Sequence, residues 1–198
     1  MSENDLAALV CSRMCHDLVS PIGAIGNGVE LLELSDQHSS VELSLISDSV
    51  QQANARIRLF RLAFGQANLN QTVPRTEVLS VLTALASGGR SAYMWKVSSD
   101  HSRHAVRCAL LALLCLESAL PLGGDITITE DADNWRVTAV ADRINRKSEL
   151  WQHLELPETY LMFQPNTVQF ALLPQTLAEV GRSVTIEQPD DTTLTLRF

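Results

Sequence analysis

Apolar residues in the first part of the chain recur at Leu6, Val10, Met14, Leu18, Ile22, Ile25, Val29 and Leu32, the three- and four-residue steps of one helix face. The pattern predicts a helix over residues 4–34, with Ser2 or Asn4 as cap and Asp5 near the positive end of the helix dipole. The polar patch Ser35-Asp36-Gln37-His38-Ser39-Ser40 interrupts it. A second series, Ile46, Val50, Ala53, Ile57, Phe60, Phe64 and Ala67, again steps by four and three, and predicts a helix over residues 40–69 with a coiled-coil seam. Two long helices joined by a short turn form a hairpin, and a hairpin cannot bury two long seams by itself. The common remedy is a twofold homodimer with a four-helix bundle. Leu59 and Leu62 fall off the second seam, free either to cover a second subunit or to form an apolar patch on which a partner docks.

Residues 66–75, with Asn68, Asn70, Gln71 and Pro74, read as a linker, which divides the chain into a hairpin over residues 1–70 and a second domain over residues 76–198. Beyond it the texture changes. A short helix is expected over 77–86, ended by Gly88-Gly89, then a strand over 92–98 and a strongly apolar helix over 103–120 stopped by Pro121 and Gly123-Gly124. Residues 125–130 and 134–140 alternate as strands joined by Asp131-Ala132-Asp133. A polar, partly helical stretch over 142–154 and a helix over 165–181 follow. Two final strands, 184–188 and 192–198, are joined by Pro189-Asp190-Asp191. This order predicts an α+β class protein, with the second domain an α/β sandwich of one sheet covered by helices on one face.

Composition narrows the function. A chain of 198 residues with 45% hydrophobic content can build a real core. Its net charge of −8, without a long basic run, argues against a nucleic-acid surface. The opening Ser2-Glu3-Asn4-Asp5 lacks the basic start of a secretion signal, and the longest apolar run, residues 109–116, is far short of a membrane span. A cytoplasmic protein with no membrane partner is expected. Cys11, Cys15, Cys108 and Cys115 all sit within helical apolar patterns, which favours reduced, buried thiols over a disulfide framework.

The first helix carries a histidine where packing does not want one. At about 100° per residue, His16 lies opposite the middle of the apolar stripe and points outward. Ser12, Ser20, Gly23, Asn27 and Glu30 share its side, leaving the imidazole above a low surface that a large partner could approach. Pro21 removes a backbone donor and predicts a kink or loosened turn, while Gly23, Gly26 and Gly28 each cost about 1 kcal/mol against alanine. A purely structural helix would not choose this composition. A lone helical histidine is ordinarily just solvated, and Cys11 and Cys15 beside it suggest metal. Yet His16 is turned away from Cys11, and no further ligand pair stands nearby for a zinc site. Asp17 is placed to accept a hydrogen bond from a ring N–H, which would fix the tautomer. Either ring nitrogen could then be the nucleophile, Nε2 projecting farther from the backbone.

His16-Asp17-Leu18, Pro21, Ala24-Ile25, Asn27-Gly28 and Glu30-Leu31-Leu32 together resemble the phosphoacceptor segment of ChpT-type histidine phosphotransferases, relatives of the two-component sensor kinases. The resemblance implies that His16 accepts a phosphoryl group from an aspartyl phosphate on one receiver domain and passes it to another response regulator in a bacterial phosphorelay. It implies receiver domains of a hybrid histidine kinase and of response regulators as partners, for which the low surface of Ser12, Ser20, Gly23 and Asn27, with Leu59, is the expected docking face. Imidazole suits the task, since its unperturbed pKa near 6.5 leaves it partly neutral and nucleophilic at neutral pH.

The second domain resembles the ATP-binding domain of the same kinases in its order of elements, and departs from it in the residues that hold nucleotide. Kinases place asparagines on the helix corresponding to residues 103–120, and here that segment has none. Where they place Asp-x-Gly-x-Gly, Asp142 is followed by Arg143-Ile144-Asn145, and no glycine occurs before Gly181. A triphosphate needs metal or backbone N–H groups, so no ATP and no cofactor of the protein's own are expected, with Mg supplied by the receiver. Asp142 then reads as a turn or cap residue. Two rivals remain: a non-catalytic adaptor that sequesters receivers, and a true autokinase.

Overall fold

A computed structural model describes residues 3–34, 40–66, 71–87, 89–132, 134–146, 148–157 and 161–198. Helix α1 (Glu3–Leu34) and helix α2 (Ser40–Phe64) form the expected pair and pack along one another. The connecting patch with His38, and Asn68 and Asn70 of the linker, lie outside the described residues. Helix α1 runs unbroken through Pro21, although the proline removes the helical donor to the Asp17 carbonyl one turn earlier. Helix α2 stops at Phe64, before the expected end, and Gly65 follows.

The remaining elements are β1 (Thr72–Val73), α3 (Arg75–Ser87), β2 (Ser91–Trp95), β3 (His101–Ser102), α4 (Arg103–Glu117), β4 (Gly124–Asp131), β5 (Asn134–Val140), α5 (Ser148–Glu155), a 3-10 turn (Pro165–Thr167), α6 (Val168–Ala178), β6 (Thr185–Asp190) and β7 (Thr193–Arg197). Strands β1 and β3 pair by themselves, while the main sheet has the order β2-β4-β5-β7-β6. Only β2 and β4 run parallel; the other neighbours are antiparallel. Alternation on β4 and β5 puts Ile126, Ile128, Trp135, Val137 and Ala139 in the core. The last turn sits later than expected. Pro189 and Asp190 belong to β6, an edge strand where a missing N–H is tolerated, and Asp190 Oδ1 accepts from Thr192 N at 2.8 Å to close the turn.

Helix α4 is the centre of the core. Ser102 Oγ caps it by accepting from Ala105 N at 3.2 Å. Every residue from Cys108 to Leu116 is buried, because the helix lies on β4 and β5 and is covered by α6 and α2. An all-round apolar helix is what such a two-sided burial requires.

The expectations for Leu59 and Leu62 and for Cys11 and Cys15 are corrected here. Leu59 is 0% exposed and Leu62 1%, both inside the core that α2 makes with α3 and α4. They face the chain's own second half, so Leu59 is no docking residue. The apolar stripes also divide: Leu6 and Phe60 are buried, whereas Ile22, Val29, Val50 and Ile57 stay exposed on the single chain. Among the cysteines, Cys108 and Cys115 are buried as expected, but Cys11 and Cys15 are exposed.

Candidate functional site

His16 stands on the outer side of α1 with 80% of its side chain exposed. The other described histidines differ: the side chain of His101 is 17% exposed and 3.3 Å from Glu130, that of His104 is 5% exposed and 3.4 Å from Glu179, and His153 stacks edge-on against Phe163. Among the described histidines, only His16 is open to a macromolecular partner in this way. Its Nδ1 lies 3.1 Å from Asp17 Oδ1. The other Asp17 oxygen accepts from Arg13 Nε at 2.8 Å, an i,i+4 pair along the helix.

Around this group the second half of the chain supplies a wall. Arg13 Nη1 donates to the Asn166 carbonyl at 2.9 Å, joining α1 to the 3-10 turn. From α2, Arg56 Nη2 comes within 3.6 Å of Glu117 Oε1 at the end of α4, and the same oxygen accepts from Tyr93 Oη at 2.7 Å. Burial and the Glu117 carboxylate raise the Tyr93 phenol above its ordinary pKa, so it stays protonated and donating. A cavity of about 480 Å³ opens between His16, Arg13, Asp17, Arg56, Glu117 and Asn166. The antiparallel return of α2 thus brings Arg56 to the height of His16.

The other sequence candidates fall along the same outer line. Ser20 lines that cavity, one turn beyond His16. Ser12, one turn before it, lines a separate groove of about 730 Å³ with Leu9, Met162, Phe163 and Pro165. Gly23 and Asn27 are exposed, and nothing lies within 4 Å of where a Gly23 side chain would begin. Leu59 is buried and takes no part. Asp142 lies at the far end of β5 beside Gly124 and Thr192.

Arg13, Arg56, Glu117, Tyr93 and Asn166 were not singled out for the site from sequence. Arg13 and Asp17 carry a legible signal in their i,i+4 spacing. Asn166 contributes a backbone carbonyl, which no residue type announces. The arrangement is an exposed imidazole whose flanking guanidinium groups are already matched, Arg13 by Asp17 and Arg56 by Glu117.

A family model for the histidine phosphotransferase C-terminal domain matches residues 75–192. The chain belongs to the histidine phosphotransferases. It is 33% identical over 151 residues to the protein phosphotransferase ChpT of Brucella abortus (strain 2308), covering 74% of this chain and 72% of that protein. Among solved structures, a bacterial phosphotransferase superposes with a TM-score of 0.83 at 28% identity, over 100% of this chain and 97% of the other. The Acinetobacter baumannii histidine kinase AdeS superposes with a TM-score of 0.44 at 13% identity, over 92% of this chain and 96% of that one. The expected phosphotransferase of a phosphorelay is therefore the right class, with the helical pair and the α/β half in the arrangement of such a protein. Among the described residues, no helix is long and apolar enough to cross a membrane.

Proposed function

We propose that His16 is the phosphoryl carrier of this histidine phosphotransferase. The observation that carries the reading is the exposed ring with Nδ1 held at Asp17 Oδ1, which leaves Nε2 directed outward. With the Nδ1 proton on the Asp17 side, the Nε2 lone pair attacks phosphorus of a receiver's aspartyl phosphate. The P–N bond forms as the P–O bond to the aspartate breaks, and the carboxylate leaves. Transfer to an aspartate of a second response regulator reverses these steps. Because Arg13 and Arg56 are already paired, the charge on the moving phosphoryl group would be met by Mg held in the receiver, and this chain contributes nucleophile and position.

The receivers of a hybrid histidine kinase and of response regulators dock over Ser12, Ser20, Gly23 and Asn27, where small side chains permit close approach. Such a relay works in the cytoplasm. The hairpin pairs with a second copy through its exposed apolar residues, and residues 76–198 form a bracing half. That half holds no ATP: α4, the helix that would face a nucleotide, is enclosed by the sheet, α2 and α6.

Purified phospho-receiver mixed with the full chain should label the protein, and His16→Gln should abolish labelling while the fold is kept. Retained labelling would move the site elsewhere. Stable receiver binding without transfer would favour the adaptor, and labelling by ATP alone would make the chain an autokinase.

A further inference from the structure

We infer that Arg13 is a positioning residue for phosphotransfer, acting through Asp17 and tying the ring of His16 to the C-terminal half of the chain. The inference rests on the proposed role of His16 and adds a part to it. Neighbouring residues on a helix do not face each other, so His16 and Asp17 have no intrinsic reason to meet. What turns the Asp17 carboxylate is its other oxygen. Oδ2 accepts from Arg13 Nε at 2.8 Å, and Oδ1 is thereby presented to Nδ1 of the imidazole at 3.1 Å.

Arg13 is itself fixed from outside the helix. Its Nη1 donates to the Asn166 carbonyl at 2.9 Å, and that carbonyl also accepts from Gln169 Nε2 at 3.1 Å. Gln169 is 2% exposed, so the carbonyl is anchored to the core. The guanidinium serves two acceptors in different directions with a rigid fork, which a lysine ammonium on a flexible stem cannot reproduce. The line from Gln169 through Asn166, Arg13 and Asp17 to His16 makes the 3-10 turn and α6 part of the transfer site. Without Arg13 the carboxylate is free to swing to solvent, the ring proton is no longer held on Nδ1, and a ring protonated on Nε2 cannot attack through that atom.

The test uses the full chain and the variants Arg13→Gln and Arg13→Lys, with two readouts. The first is the tautomer of the neutral His16 ring, read from its nitrogen-15 chemical shifts. The second is the rate of transfer from a phosphorylated receiver, with kcat and KM separated. Wild type should carry the proton on Nδ1. Arg13→Gln should move it toward Nε2 and lower kcat roughly tenfold with KM changed less than about twofold. Arg13→Lys, which keeps the charge and secures the fold, should recover part of both. An unchanged tautomer in both variants, or a loss confined to KM, would overturn the role of Arg13. The two readings fail separately: absent labelling of wild type, or labelling of His16→Gln, would sink the role of His16, while the tautomer still decides whether Arg13 holds the ring.

Discussion

Arg103, the first residue of α4, donates through Nη2 to the Arg61 carbonyl in the last turn of α2 at 2.5 Å. Its Nε donates to the Gln66 carbonyl at 2.9 Å, and its side chain is otherwise enclosed, the residue being 8% exposed. A helix ends with carbonyls that lack intrahelical donors and with a partial negative charge. Arg103 answers both, and so locks the helical hairpin to the α/β half. Arg103→Ala should lower the unfolding free energy by about 2–4 kcal/mol, because it strands two carbonyls, and Arg103→Lys should recover less than half of it. Urea denaturation with an unchanged m-value checks this. Gly65 should behave alike, since a side chain there would begin 2.8 Å from the same Nη2.

Two glycines of α1 should respond in opposite ways. A side chain at Gly28 would begin 2.6 Å from Ile46 Cγ1 on α2, so Gly28 sets how closely the two helices approach. Gly28→Val should destabilise the chain by about 1–3 kcal/mol through overpacking. At Gly23 nothing lies within 4 Å. Gly23→Ala should raise stability by about 0.5–1 kcal/mol, as helix propensity requires. If the receiver lies across that low surface, the same variant slows transfer. Thermal denaturation beside a transfer assay separates the two effects.

The parts of this protein that depend on periodicity were legible in the sequence. Helices α1, α3 and α4 and the hairpin of β4 and β5 follow from the spacing of apolar residues and from the turn residues between them. The outward placement of His16 was legible because it interrupts a pattern. The fate of Leu59 was not, since a residue off a coiled-coil seam is told apart as partner-facing or core-facing only by what packs there, and here α3 and α4 do. Cys11 and Cys15 were misjudged for a related reason: an apolar stripe does not say how wide a face is covered. Arg56 with Glu117, and Arg13 with the Asn166 carbonyl, join residues far apart in the chain, and such pairs exist only once the tertiary fold is made.

Alkaline conditions should weaken the fold. Burial pushes the Cys108 thiol up to about 12 from 9.0, raises Cys115 as well, and raises the Tyr93 phenol. Each group is held neutral when folded and ionises more easily when unfolded. Above the unfolded thiol value the unfolded chain therefore binds fewer protons than the folded one, and stability falls as pH rises from about 9 toward 12. Cys108→Ala should make that decline shallower, beyond its own cost at neutral pH. Under native conditions an alkylating reagent should modify Cys11 and Cys15, both exposed, and spare the buried pair. Protection of Cys11 or Cys15 in the native protein would instead mean that another surface covers them.

The exposed apolar face of the hairpin gives the proposed dimer its most direct test. Ile22 is 59% exposed, Val29 42%, Val50 40% and Ile57 45% on a single chain, and Ile22 and Val29 lie on the side of α1 turned away from His16. Covering the part of each side chain still exposed contributes about 1 kcal/mol, and a symmetric pairing covers the same residues on both copies, which offsets the loss of independent motion. Ile22→Glu would place a carboxylate on this apolar face in each copy, where pairing would have to desolvate it. Sedimentation should find wild type at twice 21.8 kDa at micromolar concentration and the variant at the single-chain mass. Transfer should persist in that monomer, because His16, Asp17, Arg13 and Asn166 come from one chain. A wild-type monomer would remove the bundle. A variant that is monomeric and inactive while its fold and the His16 tautomer are unchanged would mean that the second copy supplies part of the receiver's docking surface.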